Sequence, residues 1–289
     1  MILVTGANGT VGKAVLAEVA RSGAPHRAMY RSKADAAKAP RGTETVVADF
    51  ADKASLAAAL RGVESVYLVC SPVRELVELE GNAIAACTAT GVRRIVLNSA
   101  LGAADHAKSF PSWHRKVEDK LHTTKIARCV IRPNSFSQNV LTYFAPSIRE
   151  QGAFYGAMGN ARTSYVDVRD IAAVVAKALQ GGEHDGKVYE LNGPEALTYS
   201  QVAEKISHHT KVEARYVDIP EDAQRKAMLD QGMPDWQVTA LLDLQSYYTG
   251  GQGGAVDTVL ENLLGRPPIK MDRFLAEVAG EFRPQAARA

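Results

Sequence analysis

The clearest chemical signal lies near the start of the chain, in Val4-Thr5-Gly6-Ala7-Asn8-Gly9-Thr10-Val11-Gly12. Three glycines stand three apart, after an apolar stretch and before an Ala/Val-rich one. That setting suits a loop that leaves a strand, receives a pyrophosphate and opens a helix. Gly6 permits the tight turn, Gly9 lets the backbone approach the phosphates, and Gly12 lets the helix pack close. Asn8, Thr10 and Val11 lie in the same loop, where unpaired N–H groups and the positive end of the helix dipole would face the anion. The spacing is Gly-x-x-Gly-x-x-Gly rather than Gly-x-Gly-x-x-Gly. A second signal follows in Ala28-Met29-Tyr30-Arg31-Ser32-Lys33, which holds no acid. An Asp or Glu at this point would take the ribose 2′-hydroxyl of NAD, whereas a guanidinium takes a 2′-phosphate through two charge-assisted hydrogen bonds. Arg31, supported by Ser32 and Lys33, therefore points to NADP(H).

The elements that must position these residues are legible as an alternation. Strand-like apolar runs fall at residues 2–5, 27–30, 45–48, 65–69, 94–98 and 127–132. Helix-like amphipathic stretches fall at 11–22, 53–60, 76–90 and 112–123. Such alternation predicts βαβ units, hence an α/β fold with a doubly wound parallel sheet of the Rossmann type. Gly23, Gly62 and Gly91 each follow a helix, where a positive φ ends it at little cost. The expected division is a cofactor domain over residues 1–135 and a smaller α/β substrate-binding part over 136–289, interleaved as one compact unit. Beyond residue 135 the order loosens. Residues 152–160 read as a loop or hairpin, 170–180 and 198–210 as helices, 250–254 as a flexible break and 272–282 as a closing helix, with a frayed tail from Pro284. Thr198 or Ser200 is the expected cap of the 198–210 helix.

Composition excludes several classes. The 289 residues carry a net charge of +2 with no long basic stripe, so nucleic acid is not an expected partner. No apolar run reaches the length of a membrane span, and the N-terminus lacks the basic and apolar regions of a signal peptide. Cys70, Cys87 and Cys129 sit in apolar runs and form no CxxC pair, which reads as buried thiols in a reducing cytoplasm, with no metal site. Cys70 reads as packing, because nothing cationic in its local sequence would lower its pKa. A homodimer is compatible with all this, and no interface is legible in one chain.

The glycine loop resembles that of extended and atypical short-chain dehydrogenases. Four later segments narrow the resemblance: Arg132-Pro133-Asn134-Ser135-Phe136-Ser137-Gln138-Asn139; Tyr165-Val166-Asp167-Val168-Arg169-Asp170-Ile171-Ala172; Val188-Tyr189-Glu190-Leu191-Asn192-Gly193-Pro194; and Gly265-Arg266-Pro267-Pro268 with Phe274. In this order, over nearly the whole chain, they resemble NmrA-like proteins. That family implies NAD(P)H-dependent reduction of quinones, azo dyes or triphenylmethane dyes, and it also contains NADP-sensing regulators with little or no activity. The resemblance places Asp49 and Phe50 on the adenine side, and Pro133 and Asn134 at the nicotinamide. Ser71 and Pro72, at the end of a strand, are expected along the cofactor. Ser99 matches the position of a catalytic Ser/Thr.

Most short-chain dehydrogenases use Tyr-x-x-x-Lys, yet none of the ten tyrosines here has a lysine four residues on. Anchored on Glu118, the family pattern puts Phe110 at the tyrosine position and His114 at the lysine position. His114 and Ser99 are thus the candidate catalytic residues, with His114 bonding a ribose hydroxyl or the substrate. Hydride delivery to a simple ketone would leave a basic alkoxide without a proton donor, whereas a quinone or dye spreads the charge. The expected activity is NADPH-dependent reduction of a conjugated small-molecule acceptor; the alternative is a non-catalytic NADP(H) sensor. A lyase or epimerase would need an acid/base pair that is not found. Phe136, Phe144, Tyr165, Trp236, Tyr247 and Tyr248 are aromatic candidates for a flat substrate. Asp167, Arg169 and Asp170 are expected to orient a loop, and residues 232–236 to form a mobile segment. Asp105-His106 reads as a loop and His208-His209 as a solvated face.

Overall fold

The computed structural model describes residues 1–105 and 107–283; the expectations for His106 and for the tail from Pro284 lie outside the described residues. Strand and helix alternate through β1 (Ile2–Val4), α1 (Thr10–Arg21), β2 (His26–Tyr30), α2 (Lys33–Ala36), β3 (Glu44–Val47) and α3 (Lys53–Ala59). They continue through β4 (Ser65–Leu68), α4 (Leu76–Thr90), β5 (Arg94–Asn98), α5 (Phe110–His122) and β6 (Ala127–Pro133). The chain then forms α6 (Ala145–Gln151), β7 (Ala153–Gly156) and β8 (Thr163–Ser164), followed by α7 (Val168–Gln180) and β9 (Val188–Leu191). It ends with β10 (Ala196–Leu197), α8 (Tyr199–Thr210), β11 (Arg215–Asp218), α9 (Glu221–Asp230), α10 (Asp235–Thr249), α11 (Val259–Leu264) and α12 (Met271–Glu277).

Two compact units result. The first is Met1–His106, Phe110–Pro133 and Val168–Leu191; the second is Ala107–Ser109, Asn134–Asp167 and Asn192–Ala289. The break falls after Pro133, and α7 and β9 belong to the first unit, although they lie beyond the boundary expected from the alternation. In that unit seven strands form one sheet in the order β3-β2-β1-β4-β5-β6-β9, and every pair is parallel. Helices must cover both faces of such a sheet, so its central strands are rich in apolar residues. β1 and β4 are buried at every residue. α1 packs on α7. Apolar side chains of α3, α4 and α5, among them Leu56, Leu76, Val117 and Leu121, join Leu3, Val66, Leu68, Ile95 and Leu97 in one core. The expected glycine stops hold: Gly23, Gly62 and Gly91 all have positive φ.

The second unit was far less visible in the sequence. Its core joins Phe144, Phe154, Tyr165, Leu197, Ile206 and Phe274. Within residues 152–160, expected as a loop or hairpin, Ala153–Gly156 form β7, which pairs in parallel with the distant β11, and a turn follows. A π-helical turn spans Val140–Phe144. Thr198 caps α8 through a reciprocal box with Gln201. The expected closing helix is shorter, ending at Glu277, with a 3₁₀ turn over Ala279–Phe282. His208 is exposed, but His209 departs from a solvated face: its Nε2 lies 2.9 Å from Asp272 of α12.

Glu80 breaks the apolar face of α4. It shares that face with Leu76, Ala83, Ile84 and Cys87 and is fully buried. Neither carboxyl oxygen meets a hydrogen-bond partner among the described residues, although the Cys70 amide acts on it from nearby. Burial pushes its carboxyl up from 4.5 to about 8, so the group keeps its proton at neutral pH. Stability from this group is full below about pH 4.5 and is lost progressively as pH rises to about 8. At pH 7 the loss is about 3 kcal/mol. Glu80→Gln should remove this slope. Urea unfolding at pH 5 and pH 8 checks it: the natural chain should weaken more than the variant between the two, and parallel behaviour would refute the assignment.

Candidate functional site

The glycine loop leaves the carboxyl end of β1, where the sheet is entered from β2 on one side and β4 on the other. Connections diverge at such a point and leave a crevice for a dinucleotide. Thr5 fastens the loop. Its hydroxyl donates to the Tyr67 carbonyl at 2.9 Å and accepts the Val69 amide at 3.0 Å, tying β1 to the end of β4. Gly6 has φ +57° and stands against Val69, where a Cβ would lie 2.7 Å from Cγ1. The Gly9 amide donates to the Gly6 carbonyl at 2.8 Å and closes the turn. A Cβ on Gly12 would stand 2.0 Å from that same carbonyl. The first turn of α1 thus rests directly on the loop.

No side chain caps α1: its N-cap is Gly9, with no side-chain hydrogen bond. Asn8, Gly9 and Thr10 are exposed, whereas Val11 and Gly12 are buried. Orphan amides at a twelve-residue helix start, beside three glycines, fit a pyrophosphate. Sequence reasoning missed Thr5, whose signal was a hydroxyl at the last apolar position before the turn.

The other expected cofactor residues of the first unit follow the carboxyl ends of β2, β3 and β4. Arg31, just after β2, and Lys33, the first residue of α2, are exposed and have no ion-pair partner among the described residues. Ser32 is committed locally, as the N-cap of α2. The Asp49 carboxylate accepts the Ala51 amide at 2.9 Å, and Phe50 is buried in the core beside it. Ser71 and Pro72 are exposed after β4. Burial pushes the neighbouring Cys70 thiol up to about 12, so it is a poor nucleophile.

The α5 face holds the remaining candidates. Phe110 is buried and meets Trp113 edge to face at 5.1 Å. His114 is 8% exposed, and its Nδ1 has no partner among the described residues. Burial pulls the imidazole down to about 4, against the pull of Glu118 one turn on, so it is neutral at ordinary pH. Ser99 is held differently from a group aimed at a ligand. Its hydroxyl donates to Glu118 at 2.5 Å. Glu118 also receives Arg132 through two bonds, at 2.9 Å and 2.6 Å. Arg132 reaches Glu190 of β9 as well, at 3.3 Å. These bonds to Glu118 hold the Arg132 guanidinium further above its usual range, against the pull of burial. This buried network pins α5 to β5, β6 and β9. Sequence reasoning used Glu118 only as an anchor and missed Arg132, whose signal was a charge inside the apolar run of β6.

Pro133 ends β6, and its carbonyl accepts the Leu101 amide at 3.1 Å. Asn134 begins a stretch of the second unit, where its side chain is fully engaged. It donates to Asn192 at 2.9 Å and to the Gly253 carbonyl at 3.0 Å, and accepts from the Ser135 amide and the Tyr248 hydroxyl. Among the aromatic candidates, Phe144 stacks on Phe154 at 4.1 Å, and Tyr165 lies in the same core. Tyr248 is 9% exposed, while Phe136, Trp236 and Tyr247 are partly exposed. The expected mobile segment at 232–236 joins α9 to α10 and begins the latter. Among the described residues no helix is long and apolar enough to cross a membrane, and no His/Cys/Asp/Glu group could hold a metal ion.

A parallel seven-stranded sheet with an uncapped glycine cradle at its switch point defines a Rossmann-type dinucleotide-binding unit. The NmrA-like family model matches residues 1–262, and the chain belongs to that family. It is 33% identical to the NAD(P)H azoreductase of Xenophilus azovorans, covering 98% of this chain and 99% of that protein. It is also 33% identical to a (4-alkanoyl-5-oxo-2,5-dihydrofuran-3-yl)methyl phosphate reductase of Streptomyces griseus, over 99% of this chain and all of that one. Among solved structures, an NADPH-dependent quinone oxidoreductase of Escherichia coli complexed with NADPH matches with a TM-score of 0.87 and 30% identity, over 96% of this chain and 99% of that one.

Removing one partner of a buried ion pair strands the other, at a cost of about 3–5 kcal/mol. Glu118→Ala should therefore destabilise the chain by about that amount, measured by urea unfolding. A change below about 1 kcal/mol would show that the network does not hold α5.

Proposed function

We propose that the chain is an NADPH-dependent oxidoreductase that reduces a quinone or a similar conjugated acceptor. One observation carries the choice of acceptor: the α5 face presents no acidic proton donor. Phe110 is apolar, His114 is neutral, and the Ser99 hydroxyl proton already belongs to Glu118.

The roles follow from the fit. The amides at the start of α1 hold the pyrophosphate, and Arg31 and Lys33 hold the 2′-phosphate. Asp49 and Phe50 flank the adenine, Ser71 and Pro72 lie along the cofactor, and Pro133 and Asn134 border the nicotinamide. The bound nicotinamide supplies a hydride. His114, whose buried Nδ1 has no partner among the described residues, is the residue assigned to a ribose hydroxyl or to the acceptor. Ser99 acts through Glu118, as a strut for α5. A simple ketone would leave a strongly basic alkoxide that needs a positioned acid. A quinone leaves a delocalised phenolate that takes its proton from water. Relatives named as azo-dye and quinone reductases support this reading.

NADPH oxidation, followed by near-ultraviolet absorbance with quinones, azo dyes and simple ketones, tests it. Turnover of the conjugated acceptors alone is expected, with NADPH preferred to NADH. Because His114 stays neutral above about pH 4, the quinone rate should show no inflection near pH 6.5. Tight NADPH binding with no acceptor reduced would overturn the reading and leave a non-catalytic sensor.

A further inference from the structure

The turn that follows β2 holds two opposite charges that do not meet. Arg31 precedes the N-cap of α2, and Asp35 lies four residues on. Two such residues could pair, yet Asp35 is taken elsewhere. It receives the Ser32 hydroxyl at 2.8 Å, returns its own amide to that oxygen at 3.0 Å, and reaches Lys38 at 3.8 Å. Arg31 makes no ion pair among the described residues, and its charge is felt instead at Cys70, past the end of β4. Arg31 directly follows Tyr30, the last residue of β2, and so stands at the carboxyl ends of the strands, where the dinucleotide crevice lies. The Asp35 carboxylate stays in the same turn, held by the Ser32 hydroxyl.

We infer that Asp35 is a specificity-determining residue, opposing the 2′-phosphate of NADP(H) and accepting the 2′-hydroxyl of NAD(H). This rests on the proposed placement of the 2′-phosphate at Arg31. A 2′-phosphate arriving there meets a fixed negative charge in the same turn. It also competes for the Ser32 hydroxyl proton, which Asp35 already receives. A 2′-hydroxyl meets neither obstacle, because it can donate to the carboxylate. The acid absent from residues 28–33 is thus supplied one turn later, and Arg31 and Asp35 together set a modest preference where Arg31 alone would set a strong one.

Asp35→Asn keeps the shape and the backbone cap while removing the charge. The probes are adenosine 2′,5′-bisphosphate and 5′-AMP, with binding measured calorimetrically on the natural chain, on Asp35→Asn and on Arg31→Gln. Asp35→Asn should tighten the bisphosphate about fivefold relative to AMP, the scale of one nearby exposed charge. Arg31→Gln should weaken the bisphosphate about tenfold. If Arg31→Gln behaves so while Asp35→Asn leaves the ratio unchanged within about twofold, Asp35 has no such role and the placement of the 2′-phosphate stands. If Arg31→Gln changes nothing, that placement fails and the role of Asp35 falls with it.

Discussion

The constraint on which the nucleotide-binding unit depends is the absence of side-chain atoms between the first turn of α1 and the Gly6 carbonyl. A single methyl group at Gly12 would overlap that oxygen. The contact lets a buried, apolar β1 pass directly into a half-buried helix while leaving its first amides open. Thr5 completes the arrangement, because its hydroxyl locks the exit of β1 to the exit of β4. The shape that admits an anion is therefore part of the core packing, and the loop cannot be altered without disturbing the two central strands.

A second rigid element faces this cradle in chemistry. α5 is anchored through Glu118 to Ser99 and Arg132, so the helix that carries His114 is fixed by charge as well as by the packing of Val117 and Leu121. The same anchoring occupies the Ser99 hydroxyl, and burial keeps His114 neutral. A largely apolar face with one buried, unpartnered imidazole nitrogen suits an acceptor that needs orientation more than protonation.

Much of the first unit was legible because parallel strands buried on both faces must be apolar throughout, and their helices must be amphipathic. β1 and β4 follow that rule closely, whereas β3, at the sheet edge, is largely exposed. The glycine triplet was equally readable, since each position answers a steric demand. The second unit obeys no such simple period. β7 and β11 are short and pair across some sixty residues, with Ala153 opposite Arg215. α9 has no buried residue, so no apolar stripe betrays it. The return of α7 and β9 to the first unit is a matter of topology rather than pattern. Within the site, residue types were readable but commitments were not. That Ser99 gives its proton to Glu118, and that Asn134 uses all its hydrogen bonds within the second unit, depends on partners distant in sequence.

The central claim is that no group of the chain delivers a proton as the hydride moves. The direct measurement is the single-turnover rate of NADPH oxidation by a quinone, in light and heavy water at matched pH. A ratio near about 1 is predicted, because water protonates the delocalised product after the hydride has moved. A ratio above about 3 would mean that an exchangeable proton moves with the hydride, and would contradict the account.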